Sequence, residues 1–156
     1  VPSKIVRLFH DLENTIREYH HRGVDMHVLT YRKLHTTSVA VLPNFRRQKV
    51  YVPMWVDTFP ENDGLPNKDS RMQPHLQAPE FRKENMKAMA TKVYTALGLT
   101  APACIDFVFH NNEYMVVNID LNPSLSKNGR FMQSLSTTGV ESGHYIHECI
   151  KNEYGL

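Results

Sequence analysis

The sequence predicts an α+β fold, and three observations predict it. Apolar residues recur at helical spacing near both ends of the chain and again across residues 80–97. Between those segments stand runs rich in β-branched and aromatic residues, the last two joined by a short polar turn. Regular βαβ alternation is missing, and neither GxGxxG nor GxxxxGK[ST] occurs, which argues against a doubly wound or P-loop fold.

From Lys4 to His21, Ile5, Leu8, Phe9, Leu12, Ile16 and Tyr19 fall three and four residues apart and share one helical stripe. Ser3 is placed to cap this helix and Gly23 to end it. Two strand-like runs follow, Met26 to Tyr31 and Thr37 to Leu42, parted by the polar stretch RKLHT. A third, Lys49 to Val56, contains Pro53, which predicts an edge strand or a break. Residues 57–79 hold four prolines and one glycine among polar neighbours and read as a long loop. From Glu80 the spacing of Phe81, Met86, Met89, Ala90, Val93, Tyr94 and Leu97 is helical until Gly98, with the Met pair read as core filling. Ile105 to Phe109 and Tyr114 to Leu121 are two strands of a hairpin turning through His110-Asn111-Asn112-Glu113. A polar loop, SLSKNG at 124–129, leads into short helices near Phe131 to Leu135 and Ser142 to Glu153.

The 156 residues suffice for one domain with a sizeable core. With 41% hydrophobic and 22% charged residues the composition is that of an ordinary globular protein, not of a disordered one. A net charge of +2 gives no clear nucleic-acid signal. No apolar run approaches the roughly 20 residues of a membrane helix, so no membrane partner is expected. Cys104 and Cys149, the two cysteines, both fall at apolar positions and make no disulfide framework. They read as small buried hydrophobes, and a reducing intracellular compartment fits them. His144 and Glu148 share a helix face, but with His147 they do not give the HExxH order of a zinc site. Arg46, Arg47 and Lys49 read as a solvated basic turn.

One face demands a chemical explanation. Asp106 stands inside the apolar run CIDFVF, and Asn118, Asp120 and Asn122 alternate along VVNIDLNP, so the last three point to one side of their strand. The hairpin lays Asp106 beside them. Two carboxylates and two carboxamides are hard oxygen ligands of the kind that hold Mg²⁺ with nucleotide phosphates. The other reading of the same alternation is a strand with one solvated face.

The segment MKAMATKVYTALGLTAPACIDFVFHNNEYMVVNIDLNPSLS, residues 86–126, resembles the C-terminal part of ATP-grasp enzymes, above all the D-alanine–D-alanine ligases. In that family a helix ending in A-L-G precedes a strand with an I-D-F-like core, and the next strand ends in acid-x-Asn near a proline. Helix 4–21, MHVLTY, TSVAVLPN and the helix after Gly139 extend the similarity more loosely over most of the chain. The resemblance implies an ATP-grasp-like antiparallel sheet with flanking helices. Residues 1–156 then form a partial ATP-grasp-like domain, with 1–45 ending the central subdomain and 46–156 forming the C-terminal subdomain.

It also implies ATP and Mg²⁺ as cofactors. Carried over, Asp106 becomes the first metal ligand. The acid-x-Asn motif lies in either of two registers, Asn118 with Asp120 or Asp120 with Asn122, and both retain Asp120. Val28, Leu29, Thr30 and Tyr31 would border the adenine, Thr36 is the nearest match to the ribose-binding Glu, and Lys68 is a candidate for a phosphate-contacting lysine. Loops 57–79 and 124–129 would face the acceptor substrate. Two departures stand out: Cys104 occupies the place of an Arg that supports the acyl phosphate in the ligases, and the family's Gly-rich loop and substrate subdomain have no room before Val1. The chain is therefore expected to be the back portion of a larger protein. The activity implied is ATP-dependent joining of a small carboxylate to an amine. Alternatives are a non-catalytic structural or interaction subunit and an inositol phosphate kinase of the same fold.

Overall fold

The computed structural model describes residues 9–23, 36–59, 71–74, 76–110 and 113–154. The strand expected over Met26–Tyr31, the first turn of the N-terminal helix and the Asn111–Asn112 turn lie outside these residues.

The elements run α1 (Phe9–His21), β1 (Thr36–Phe45), β2 (Gln48–Tyr51), β3 (Val56–Phe59), β4 (Arg71–Pro74), α2 (Glu80–Ala96), β5 (Ala103–His110), β6 (Glu113–Asp120), α3 (Arg130–Ser136) and α4 (Ser142–Tyr154). Five strands form one path, β4-β3-β1-β5-β6, with β2 paired to β1 beyond it, and every pairing is antiparallel. The fold class is thus α+β, an antiparallel sheet flanked by helices.

β1 is central because its residues suit burial on both faces. Thr36 through Leu42 are all buried, and the alternation divides them between two cores. Val39 and Val41 join Ile105, Phe107, Trp55 and the buried side of α2, namely Met86, Ala90 and Tyr94. Ala40 and Leu42 join Cys104, Phe131, Leu135, Val140 and Tyr145, which places α3 and α4 on the opposite face. The methionines of α2 fill core, as expected: Met86 is fully buried and Met89 packs against the same cluster.

One sequence expectation needs correction and another is met. Residues 57–79 are not one loop, since β3 and β4 lie within 56–74 and pair through Val56↔Pro74 to Phe59↔Arg71. Four-residue strands beside proline carry too little periodicity to stand out, and Pro74 is tolerated because β4 is an edge strand. The run Lys49 to Val56 breaks at Pro53, as that proline predicts, with β2 ending at Tyr51 and β3 starting at Val56. The intervening turn is held by Ser134, which is fully buried. Its Oγ donates to the Met54 carbonyl at 2.6 Å and accepts the Ala40 N–H at 3.1 Å.

The basic turn is exposed, as expected, and it carries contacts of its own. Arg46 and Arg47 close the β1–β2 hairpin at φ +49° and +63°, left-handed conformations that cost a non-glycine residue about 1 kcal/mol each. Arg46 is engaged: its guanidinium lies 5.9 Å and 5.7 Å from the Phe45 and Tyr51 ring centroids and donates to the Thr138 carbonyl at 3.2 Å. Among the described residues, no helix is long and apolar enough to cross a membrane.

Candidate functional site

The polar face anticipated on β5 and β6 is a cross-strand row. Ser38 of β1 pairs with Asp106 of β5, which pairs in turn with Asn118 of β6. Directly paired residues project to the same face, so the three side chains meet. Ser38 Oγ donates to Asp106 Oδ1 at 2.7 Å, and Asn118 Nδ2 donates to Asp106 Oδ2 at 3.0 Å. The β5–β6 register shifts between Asp106 and Phe107, so that Asn118 faces Asp106 while Val116 faces Phe107. This bulge inserts Val117 as the extra residue and sets Asn118 on the row.

Asp106 is 2% exposed. An unpaired carboxylate so placed would cost several kcal/mol. Its partners include one that the sequence did not disclose. Arg130, the first residue of α3, brings Nη1 to 2.6 Å from Asp106 Oδ2. Phe131, Met132 and Leu135 are buried in the α3–α4 core and fix the start of the helix beside the row. Gly129 precedes it in a tight bend, where an added Cβ would stand 3.0 Å from the Ser124 carbonyl and 3.1 Å from that of Ser126. Loop 124–129 is tied down by Gly129 N–H to the Ser126 carbonyl at 2.8 Å and Ser142 Oγ to the Leu125 carbonyl at 3.1 Å.

One row along, Cys104 pairs with Asp120. Cys104 is buried, and burial pushes its thiol upward from the ordinary cysteine value. Asp106 adds to that shift, while Arg130 opposes it. Asp120 ends β6, and its Oδ1 accepts the Asn122 N–H at 3.0 Å in a turn. The expected alternation therefore holds for Asn118 and Asp120, whereas Asn122 lies past the strand end and approaches through its backbone. Thr36 opens β1 two residues from Ser38 and is buried, opposite Thr58 and Val108. Thr58 Oγ1 is a buried hydroxyl with no hydrogen-bond partner among the described residues. Val28, Leu29, Thr30, Tyr31 and Lys68 lie outside the described residues.

Hard oxygen donors of the type Mg²⁺ uses are thus gathered on one end of one sheet face: Asp106, the Asn118 amide one strand over, and Asp120 in the adjoining row. No cluster of three His, Cys, Asp or Glu is found among the described residues, so a cation here would rely on an amide oxygen as well as the two acids. The donor chemistry fits a divalent cation, with Arg130 already on one of the Asp106 oxygens.

A second acid is buried on the opposite face, where the sequence suggested loop. Asp57 of β3 is 4% exposed and accepts a hydrogen bond from Thr37 Oγ1 at 2.7 Å. Neither it nor Arg130 carries a local motif. The one sequence signal for Ser38 is that its alternation with Ala40 and Leu42 puts a hydroxyl on an apolar face.

Three comparisons bear on the family. The chain matches the family described as D-ala D-ala ligase C-terminus over residues 11–151. No curated protein matches by sequence. Among solved structures, it is similar to the D-alanine–D-alanine ligase from Bacillus anthracis complexed with ATP. The TM-score is 0.72 at 13% identity, covering 95% of this chain and 47% of that one. A second structure of the Bacillus anthracis ligase gives 0.70 at 15% identity, with 97% and 49% covered. The D-alanyl-alanine synthetase A from Vibrio cholerae O1 biovar eltor gives 0.60 at 17%, with 78% and 39% covered. The chain spans about half the length of the Bacillus ligase structures it resembles. Its antiparallel sheet, its polar row on β5 and β6 and the match over residues 11–151 lead to one conclusion: the chain belongs to the D-ala D-ala ligase C-terminus family and is an ATP-grasp-type C-terminal portion.

Proposed function

We propose that the chain is the nucleotide-binding part of an ATP-dependent ligase that joins a small carboxylate to an amine, acting within a longer protein. The observation that carries this reading is the row Ser38–Asp106–Asn118, with Ser38 and Asp106 buried and Asp120 beside it. A fold needs no carboxylate at a 2% exposed strand position. An apolar residue there would avoid the desolvation penalty, so Asp106 is better explained by use than by stability.

In the reaction, an oxygen of the substrate carboxylate attacks the γ-phosphorus in line as the bond to ADP breaks, giving an acyl phosphate. The amine nitrogen then attacks the acyl carbon, phosphate leaves, and the amine proton passes to solvent. ATP is held with its adenine against Val28, Leu29, Thr30 and Tyr31, its ribose toward Thr36 and a phosphate near Lys68, assignments that rest on the family resemblance. Asp106 and Asp120 would hold Mg²⁺, with the Asn118 amide oxygen beside them or, in the other register of the motif, that of Asn122. The ion would neutralise charge on the phosphates. The protein's own work is positional: Ser38 and Asn118 orient the Asp106 carboxylate, and the Asn122 N–H orients that of Asp120.

Cys104 favours a second reading, a non-catalytic relative. Its buried thiol, held protonated, offers an acyl phosphate no positive charge, where the ligases commonly present an Arg. Amino-acid-dependent release of ADP from ATP by the intact natural protein decides between them. Release that falls at least tenfold in Asp106→Asn and in Asp120→Asn supports the ligase. Nucleotide binding with no release on addition of any amino acid supports the non-catalytic relative.

A further inference from the structure

We propose that Arg130 and a divalent cation are alternative partners of Asp106 Oδ2, so that Arg130 must release that oxygen before a cation loads on it. This rests on the metal reading of Asp106 and Asp120 above and adds to it a residue that controls occupancy.

The first support is the valence of one oxygen. Asp106 Oδ2 accepts from Asn118 Nδ2 at 3.0 Å and from Arg130 Nη1 at 2.6 Å. A carboxylate oxygen offers two lone pairs, and both are taken. A cation on Oδ2 would meet a guanidinium at contact distance, an arrangement that like-charge repulsion opposes beside a carboxylate that is 2% exposed. On that oxygen, one of the two must leave.

The second support is the difference in how the donors are held. Ser38 is fully buried on the central strand, and Asn118 is fixed by strand register across from Asp106. Both are neutral and can stay while the counter-ion changes. Arg130 stands at the end of a helix, its side chain is 36% exposed, and its contact with Asp106 uses one of five donors. A long, half-exposed side chain can turn outward without disturbing the Phe131–Leu135 packing beneath it.

The third is charge balance. Asp106 and Asp120 stand in adjoining rows of one face, and Arg130 alone leaves the pair one negative charge in excess. A divalent cation removes that excess. If the cation arrives on a phosphate, it also brings an anion for the displaced guanidinium.

The test is Mn²⁺ alone, titrated into the intact natural protein and followed by the loss of the free-ion electron paramagnetic resonance signal. Arg130→Met removes the competitor and is expected to bind Mn²⁺ about tenfold more tightly than wild type. Arg130→Gln keeps a neutral hydrogen bond to Asp106 and is expected to gain in the same direction, which covers the case where the Met variant fails to fold. Adding Asp106→Asn to either variant is expected to erase the gain. Mn²⁺ affinity unchanged within twofold in the variant that folds, while wild type binds saturably, overturns the exchange and leaves the metal reading standing. No saturable Mn²⁺ binding by any of these proteins, with or without ATP, overturns both.

Discussion

Replacing Ser38 with alanine isolates the polar row from the question of ligands. Ser38 is 0% exposed, and its hydroxyl donates to Asp106 Oδ1 at 2.7 Å. The substitution deletes one oxygen and creates almost no void, so the cavity term is small. What is lost is a hydrogen bond to a buried carboxylate, and such bonds to charged groups contribute about 1.5–3 kcal/mol. Asn118 and Arg130 act on the other oxygen and do not replace it. The expected loss of stability is therefore about 2 kcal/mol, or roughly 4–8 °C in Tm for a chain of this size. Urea unfolding followed by Trp55, the sole tryptophan and a buried one, reads the change. Repeating the substitution in an Asp106→Asn background should reduce its cost to about 1 kcal/mol, because the acceptor is then neutral. A cost below about 0.5 kcal/mol, or one equal in both backgrounds, refutes the claim that Ser38 serves the Asp106 charge.

Three further outcomes follow from the packing. Ser134→Ala strips the Met54 carbonyl and the Ala40 N–H of their partner and should cost about 2–4 kcal/mol by chemical denaturation. Gly129→Ala drives a Cβ against the Ser124 and Ser126 carbonyls at 3.0 and 3.1 Å. It should speed amide hydrogen exchange in residues 124–130 while leaving the protection of β1 and β5 unchanged. Burial raises the Cys104 thiol above 9.0 and the Tyr94, Tyr114 and Tyr145 hydroxyls above 10.0. The folded state thus keeps protons that the unfolded chain sheds above pH 9, so stability is full below that pH. It should fall as pH rises, by about 1.4 kcal/mol per unit for each fully shifted group. Cys104→Ala should flatten the decline between pH 9 and 10 in denaturation curves taken across that range.

The parts of this molecule legible from sequence are those whose pattern is local. The β5–β6 hairpin, α2 and both short C-terminal helices declare themselves by alternation or by three- and four-residue spacing, and they stand where expected. β3 and β4 do not, because four residues each, set among prolines, carry almost no period. Asp57 reads as a loop acid for that reason, although Thr37, twenty residues away, makes it a buried, hydrogen-bonded one. In the site, Asp106, Asn118 and Asp120 are visible as polar residues in apolar strands. Their partners are not: Ser38 lies 68 residues from Asp106 and Arg130 lies 24 residues from it, and only the sheet register and the start of α3 bring them together. Asn122 shows the converse: it continues the alternation in sequence but lies two residues past the point where β6 ends and a turn begins.

The central claim is that Asp106 and Asp120 belong to a nucleotide site, and calorimetric titration of the intact natural protein with ATP in the presence of Mg²⁺ tests it most directly. The account predicts saturable binding that requires Mg²⁺ and weakens at least tenfold in Asp106→Asn and in Asp120→Asn. Absence of binding, or binding indifferent to both substitutions, would contradict it.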